Sequence, residues 1–428
     1  MRRRRLLGTS LALAVAAGVS ACAAEAGPPT LTWYINPDDG GQAELARICT
    51  EEAAGDYVVE TSLLPRDAAS QREQLARRLA ARDSSIDIMS LDPPFIPELA
   101  EPGFLAPVPS DVAESTTEGV VQGAIDGATW GDELVTVPFW ANTQLLWYRK
   151  SVADAAGLDM SQPVTWDQIM EAAQSQDQLL AVQGQQGESL TVWINALIAS
   201  AGGEIVTNPE AEGEDLELGL NTEAGREAAR IIGEIADTGL GGPGLPTADE
   251  SASLTLFQGD EGSFMVNWPF VWSSTVTGVE GGTFDQALLD DIGWTTYPRT
   301  TEGEEAAPPY GGINLGVGAF SDDVDLAYEA VTCIVRPEHQ ALYFATNGNP
   351  AAHTAAYEDP AVQEAYPMYE AIRDSLEQAE PRPQTPYYNE VSTGLQQTWY
   401  PPREVSPETT PERSTELITA VLRGESLL

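Results

Sequence analysis

The sequence predicts an α/β protein with two lobes. Seven short apolar runs have the length of strands, and stretches with helical spacing lie between them. Strands that alternate with helices are typical of a mostly parallel sheet covered by helices on both faces. Strands of similar character lie on either side of a helix-rich middle, so we expect the chain to cross between the lobes more than once. At 428 residues it has room for two domains.

The predicted strands are five or six residues long. Their length and composition fit strands of a sheet that is buried on both faces. The predicted strands are Leu31–Ile35, Val58–Leu63, Ile86–Leu91, Leu134–Phe139, Gln144–Tyr148, Gly262–Asn267 and Asn314–Gly318.

The predicted helices have apolar residues at the spacing of one helix face. Leu75 and Leu79 form such a stripe on the second helix, with its arginines on the other side. Thr165 precedes the third helix as an N-cap, and Gly239 follows the fifth at a position that favours glycine. The predicted helices are Gln42–Glu52, Ser70–Arg82, Trp166–Gln176, Trp193–Ala201, Glu223–Thr238 and Asp322–Val335.

The charge balance excludes some classes of partner. The chain has 66 acidic and 21 basic residues, which gives a formal net charge of −45. A body this negative repels phosphate backbones, which excludes nucleic acid, and it argues against docking on anionic lipid. Two histidines, His339 and His353, leave little material for a histidine-based triad or metal site. We therefore expect no metal and no cofactor.

The N-terminus predicts export. Arg2–Arg5 form a basic segment, and the apolar stretch Leu6–Val19 follows it. That stretch is too short to span a bilayer as a helix, so we expect residues 1–21 to be a signal peptide.

The end of this segment predicts a lipid anchor. The sequence Val19-Ser20-Ala21-Cys22 resembles the lipobox of bacterial lipoproteins, in which the cysteine is lipidated. Cys22 would then carry lipid, residues 22–29 would form a tether, and the protein would sit on the extracellular face of the cytoplasmic membrane. The alternative is an ordinary cleavage site beside a chance cysteine.

Two cysteines remain once Cys22 is set aside. Cys49 and Cys333 each lie on an apolar helical stripe, and an even count in an oxidising compartment favours a disulfide. Two separately buried thiols are the alternative, since cysteine is a common core residue. A disulfide would require the early and late parts of the chain to share a domain.

Aromatic residues lie beside polar ones at the predicted strand ends. A sugar presents apolar C–H faces and hydroxyls, so its site needs aromatic faces together with carboxylates, amides and arginine. Asp92 and Asn142 each follow a predicted strand, where open α/β sheets bind ligands. For any single tryptophan, core packing is the alternative interpretation.

A glycoside hydrolase is the competing class, because it also needs aromatic residues and two carboxylates. Acidic pairs are plentiful here, so residue types do not exclude it. The sequence has no G-x-S-x-G elbow, no Walker-type glycine loop, no dinucleotide fingerprint and no H-E-x-x-H motif.

Four segments carry a family resemblance: Ile86–Asp92, Asn142–Lys150, Asn267–Phe270 and Gly311–Asn314. With the lipobox, they resemble extracellular sugar-binding lipoproteins of ABC importers. More narrowly, nearly the whole mature chain is similar to actinobacterial trehalose-binding lipoproteins.

The resemblance implies a two-lobed, periplasmic-binding-protein-like fold of type II, maltose-binding-protein-like, with a multi-strand hinge. One lobe would comprise residues 30–140 plus about 306–350, and the other about 141–305 plus 351–428. It also implies that Cys49 and Cys333 form a disulfide.

The resemblance further implies a set of sugar-contacting positions and no catalytic residue. Two of them, Asp39 and Gln71, lie in loops that vary in the family. The implied positions are Asp39, Gln71, Asp92, Trp140, Asn142, Glu250, Trp268, Phe270, Gly312 and Arg382.

The function implied is that of a non-enzymatic, monomeric binding protein. It would capture an α-linked glucose disaccharide, trehalose, and deliver it to the membrane permease of an importer with its ATPase. Maltose, sucrose or a related sugar is the alternative ligand, and a surface glycoside hydrolase is the alternative class.

Overall fold

The computed structural model describes residues 27–428. The predicted signal peptide and the predicted lipidation site, Cys22, lie outside these residues. Within them, no helix is both long enough and apolar enough to cross a membrane.

The strands form two main sheets and a hairpin. The strands are β1 (Thr30–Ile35), β2 (Val58–Leu63), β3 (Ile88–Leu91), β4 (Thr129–Trp130), β5 (Glu133–Leu134), β6 (Val137–Thr143), β7 (Leu145–Arg149), β8 (Leu179–Ala181), β9 (Gly262–Asn267), β10 (Ile292–Thr295) and β11 (Tyr310–Val317). The first sheet has the order β2-β1-β3-β11-β6, the second has the order β10-β7-β9-β8, and β4 pairs with β5.

Helices surround both sheets. They are α1 (Gly41–Glu52), α2 (Ala68–Ala80), α3 (Ile96–Ala100), α4 (Ser110–Thr117), α5 (Gln122–Asp126), α6 (Lys150–Ala156), α7 (Trp166–Ser175), α8 (Glu188–Ser200), α9 (Glu223–Asp237), α10 (Glu250–Gln258), α11 (Phe270–Glu280), α12 (Gln286–Asp291), α13 (Val324–Ile334), α14 (Pro337–Asn347), α15 (Pro360–Ala365), α16 (Tyr369–Leu376), α17 (Tyr388–Thr398) and α18 (Thr410–Leu422).

The expectation of a mostly parallel sheet is wrong, because both main sheets are mixed. β1 runs parallel to β2 and β3, and β8 runs parallel to β9. In contrast, β11 is antiparallel to β3 and β6, and β7 is antiparallel to β9 and β10. The parallel pairs among β1, β2 and β3 follow strand–helix–strand connections, whereas β11 enters the first sheet on returning from the second lobe.

The chain crosses between the lobes more than once, as predicted. Only Gln144 separates β6 of the first sheet from β7 of the second. After the helices and strands of the second lobe, the chain returns as β11 and inserts between β3 and β6. The molecule therefore has the two-lobed, maltose-binding-protein-like α/β fold.

Helices cover the first sheet on both faces, as expected. Trp33 of β1 packs in a core cluster with Leu45 of α1, while its neighbour Tyr34 packs in another with Leu75 and Leu79 of α2. Successive side chains of a strand point to opposite faces, which explains this division.

The sequence predicts the start of α7 correctly, but it places the start of α8 too far along the chain. Thr165 Oγ1 accepts a hydrogen bond from the Gln168 N–H (3.2 Å), and Gln168 Oε1 accepts one from the Thr165 N–H (2.9 Å), which forms a capping box. Helix α8 begins at Glu188, five residues before the predicted start at Trp193. The predicted helix therefore omits Glu188, which forms an ion pair with Arg382.

A disulfide joins Cys49 of α1 to Cys333 of α13, and their Cα atoms are 5.9 Å apart. Both helices pack on the first sheet, within one core cluster. The early and late parts of the chain therefore share one lobe.

Candidate functional site

Three neighbouring strands of the first sheet bring polar residues to one edge. β11 pairs Asn314 with Leu91, the last residue of β3, and it pairs Gly311 with Asn142 of β6. Asp92 follows Leu91 directly, so it and Asn142 lie on either side of β11. The Asn142 side chain is largely buried, and its Oδ1 accepts a hydrogen bond from the Thr143 N–H.

Arg382 connects this edge to the second lobe. Its Nη2 donates to Asp92 Oδ1 (2.6 Å), and its Nη1 donates to Glu188 Oε1 (2.7 Å) at the start of α8. The Arg382 side chain is 4% exposed, against 19% for Asp92 and 15% for Glu188. One buried cation is thus shared by carboxylates from both lobes.

Arg382, Asp92, Glu188 and Tyr388 form one hydrogen-bonded group, the Arg382 cluster. Burial governs the pKa values of its residues. Burial raises the pKa of the Asp92 carboxyl, and Arg382 opposes that shift. Burial alone would lower the pKa of Arg382, but the neighbouring Asp92, Tyr388 and Glu188 hold it well above the usual value. The guanidinium therefore stays charged, and its Nε is a buried donor with no hydrogen-bond partner among the described residues.

Trp268 is fixed to the second lobe by the residue before it. Asn267 Oδ1 accepts a hydrogen bond from the Trp268 N–H (2.9 Å), and Asn267 Nδ2 donates to the Glu250 carbonyl (3.0 Å) at the start of α10. Glu250 and Trp268 are therefore held on neighbouring segments. The Trp268 side chain remains partly exposed.

Two glycines of β11 allow close approach from either side. A Cβ at Gly311 would lie 2.9 Å from Cη2 of Trp268, so the indole ring lies against this strand. Gly312 has a φ of +135°, and a Cβ there would lie 2.3 Å from the Trp140 carbonyl oxygen. The ring of Trp268 consequently sits beside the strand that separates Asp92 from Asn142.

Two sequence-predicted positions, Asp39 and Gln71, make their contacts with residues outside the Arg382 cluster. Gln71 Oε1 accepts from Asn36 Nδ2, and its Nε2 donates to the Pro65 carbonyl, both at 2.7 Å, so this side chain braces two loops. Asp39 lines a cavity of about 210 Å³ with residues of α1 and α14, including Asn347. No hydrogen bond among the described residues connects either side chain to Arg382.

The aromatic residues Trp140 and Phe270 are half-buried and pack against core clusters. This is the arrangement that the core-packing alternative expects. The Nε1 of Trp140 is buried without a hydrogen-bond partner among residues 27–428.

The sequence interpretation missed two residues of the cluster, Glu188 and Tyr388. Tyr388 lies in α17, in a C-terminal region where no helix was predicted, and its hydroxyl donates to Glu188 Oε1. Glu188 was missed because the predicted helix began too late. An acidic residue immediately after Gly187, at the head of an apolar run, is a first-turn signal that could have found it.

A separate cavity of about 450 Å³ lies on the second lobe, lined by α7, α9 and residues 300–302. Its arginine, Arg230, already pairs with Asp167, Glu227 and Glu234. None of the sequence-predicted positions lines this cavity.

Solved structures share the fold along nearly the whole chain. Maltose-bound MalE3 of T. maritima has a TM-score of 0.79 and 22% identity, with 92% of this chain and 99% of that chain covered. The GacH receptor of Streptomyces glaucescens, solved unliganded and with acarbose, has a TM-score of 0.77 and 18% identity, with coverages of 93% and 100%. The cyclic α-maltosyl-1,6-maltose binding protein from Arthrobacter globiformis has a TM-score of 0.71 and 21% identity, with coverages of 93% and 100%.

Sequence comparison gives the family. A mannitol-binding protein of Pseudomonas aeruginosa is 25% identical over 148 residues, and the match spans 34% of each chain. The chain thus covers about a third of that relative's length. A family model described as bacterial extracellular solute-binding protein matches residues 40–341, which is more than half of the chain. This protein therefore belongs to the bacterial extracellular solute-binding proteins.

Proposed function

We propose that this protein is the lipid-anchored, extracellular substrate-binding subunit of an ABC importer, and that it captures the α-linked glucose disaccharide trehalose by lobe closure. The observation that carries the proposal is the position of Arg382. Its guanidinium joins a carboxylate of each lobe and keeps one buried N–H unpaired. In an open form the hydrogen bond between Arg382 and Asp92 would be broken. Sugar binding at Arg382 and closure of the lobes would therefore be coupled.

Asp92, Trp268 and Arg382 belong to the cleft between the two lobes, and their chemistry suits a neutral sugar. Trp268 offers a partly exposed aromatic face, and Asp92 and Arg382 offer an acceptor and a donor. Relatives are named for neutral carbohydrates and a polyol, namely maltose and mannitol. The lipobox supports the lipid anchor, and the resemblance of the blocks around Asn142 and Trp268 to those of trehalose-binding lipoproteins supports trehalose.

The remaining parts of the proposal follow from the family. The two lobes, 30–140 plus about 306–350 and about 141–305 plus 351–428, would close on the sugar and present their outer faces to the permease. The protein would act as a monomer, and the carboxylates of the cleft would serve as hydrogen-bond acceptors, without catalysis.

Calorimetric titration of the purified mature protein tests the ligand. Trehalose, maltose, sucrose and mannitol are titrated separately, and each sample is then analysed for cleavage products. We expect tight binding of trehalose and recovery of the intact disaccharide after long incubation. Tight binding of another sugar alone would correct the ligand. Glucose released at a rate that Asp92→Asn abolishes would favour a glycoside hydrolase instead.

Solution scattering tests closure. Saturating trehalose should reduce the radius of gyration and raise the melting temperature, because the sugar binds the closed form best. Mannitol, if calorimetry shows no binding, is the matched control. An unchanged radius with tight binding would contradict closure as the means of capture.

A further inference from the structure

Glu188 of the Arg382 cluster is a carboxylate whose hydrogen-bond acceptor positions are mostly filled by other residues of the protein. Glu188 Oε1 accepts from Arg382 Nη1 and from the Tyr388 hydroxyl, and Oε2 accepts from the Ser392 hydroxyl (2.8 Å). A carboxylate has about four acceptor positions, so three are filled. Little of Glu188 is left for a ligand.

Two rigid helices hold this carboxylate in place. Glu188 lies in the first turn of α8, and that helix is buried on every side in the core of the second lobe. Tyr388 and Ser392 are four residues apart on α17, so they face α8 together. The Thr191 and Ser392 hydroxyls are 2.9 Å apart, which joins the two helices again.

The backbone beside Arg382 is tied to the same helix. Asn195 Nδ2 donates to the Pro381 carbonyl at 3.1 Å, and Asn195 lies two turns after Glu188 on α8. Helix α8 therefore holds Arg382 at both ends. Asn195 holds the main chain beside it, and Glu188 holds its guanidinium. The bond to Asp92 is the one that crosses to the other lobe.

We infer that Glu188 is a positioning residue for the sugar site, which acts through Arg382 and does not touch the ligand. It holds the plane of the guanidinium so that Nε faces an acceptor on the ligand and Nη2 faces Asp92. A free arginine side chain would have to be ordered when the sugar binds, which would weaken binding. This inference rests on the proposed function for its ligand, while its ion-pair geometry stands independently.

Glu188→Gln tests the inference, because it keeps the shape of the side chain and removes its charge. We expect a loss of trehalose affinity of about 10- to 100-fold, as for a hydrogen bond to a charged group. Glu227→Gln is the matched control, since Glu227 is a partly buried glutamate paired with Arg230 on the same lobe. The control should bind within about twofold of wild type.

A double-mutant cycle separates positioning from other roles. In an Arg382→Ala background, Glu188→Gln should cost no further affinity, because the group through which it acts is gone. A further loss equal to that seen in the wild-type background would overturn the inference, and so would wild-type affinity in Glu188→Gln itself. If Glu188→Gln does not fold, Tyr388→Phe replaces it in the same cycle, with a smaller loss expected.

The cycle is repeated on thermal unfolding without ligand. If wild type binds none of the four sugars, the proposed function fails, yet Glu188→Gln and Arg382→Ala should still be non-additive in melting temperature. Additive shifts there would show that the two side chains are not coupled, and the inference would fail whatever the ligand.

Discussion

At the scale of single residues, the contact between Trp268 and Gly311 limits what each position can be. A Cβ at position 311 would lie 2.9 Å from the nearest atom of the indole ring, which is too close, so the glycine allows an aromatic ring of the second lobe to pack against a strand of the first sheet. The ring is partly exposed and belongs to no core cluster of the described residues. Its role is therefore better tested by ligand affinity than by stability.

We expect Trp268→Ala to lower trehalose affinity about tenfold or more while leaving the fold intact. Stacking on an aromatic face contributes about 0.5–1.5 kcal/mol beyond the area that is buried. Calorimetry measures the affinity, and circular dichroism with thermal unfolding checks the fold.

Trp130→Ala is the matched control, because Trp130 is a half-buried tryptophan on the β4–β5 hairpin whose Nε1 bonds to Glu101. It should bind trehalose as wild type does. If Trp268→Ala unfolds, or binds with unchanged affinity, Trp268 is a core residue and the stacking interpretation is wrong.

The sequence identified some members of the cluster and missed others for a physical reason. Asp92 was named from its position after a predicted strand and from resemblance, Arg382 was named from resemblance alone, and the two meet in the structure. Their common neighbours Glu188 and Tyr388 were missed, because a carboxylate among 66 acidic residues carries no signal unless its helix start is placed correctly. Glu188 and Tyr388 are 200 residues apart in sequence, so only the three-dimensional structure shows that they are in contact.

At the scale of elements, the sequence predicts where most strands lie, but it does not predict their directions relative to one another. β2 and β9 have the predicted bounds, and β1 begins one residue earlier than predicted. The short strands β8 and β10 were missed, since three or four residues are too few to show a periodicity. Strand direction depends on which lobe the chain comes from, and local sequence does not encode that.

The strand β11 gives a prediction at this scale. Gly312→Ala should destabilise the protein by roughly 1–3 kcal/mol, because the left-handed backbone there disfavours a side chain and the Trp140 carbonyl would be in its way. Urea unfolding measures the loss.

Gly244→Ala is the control, because a Cβ at Gly244 would meet nothing within 4 Å and the backbone there is right-handed. It should change stability by less than about 0.5 kcal/mol. Equal stability of Gly312→Ala and wild type would mean that β11 can shift away from β6.

At the scale of the whole molecule, the disulfide ties distant parts of the chain. Cys49 and Cys333 are 284 residues apart in sequence. We expect the Cys49→Ser/Cys333→Ser variant to lose about 2–5 kcal/mol of unfolding free energy in urea, mainly because its unfolded chain is less constrained. Reductant should destabilise the wild type and leave the variant unchanged. Two free thiols by intact mass in exported protein would contradict the bond.

Acidity should affect the interface between the lobes through Glu390 of α17. Burial raises the pKa of Glu390, the nearby Glu98 carboxylate adds to this, and Arg72 opposes it. The folded protein thus binds this proton more tightly than the unfolded chain. Its stability should fall as pH rises from the ordinary pKa of 4.5 through the raised value.

We therefore expect Glu390→Gln to melt at a higher temperature than wild type at neutral pH, with the difference vanishing below about pH 4. Calorimetric scans at a series of pH values measure this difference. Glu304→Gln, at an exposed position, is the control and should follow wild type throughout. A difference that does not depend on pH would show that Glu390 is not the titrating group.

The position of β11 also constrains the order in which the molecule can form. The strand lies between β3 and the edge strand β6 of the first sheet, but it is synthesised only after the second lobe's strands β7 to β10. At roughly 5–20 residues per second, a ribosome needs about ten to thirty seconds to go from the end of β6 to the start of β11. During that time the first sheet has a gap, with β6 unable to reach β3. A chain of this topology cannot complete its first sheet until β11, which begins at Tyr310 of 428 residues, has been made.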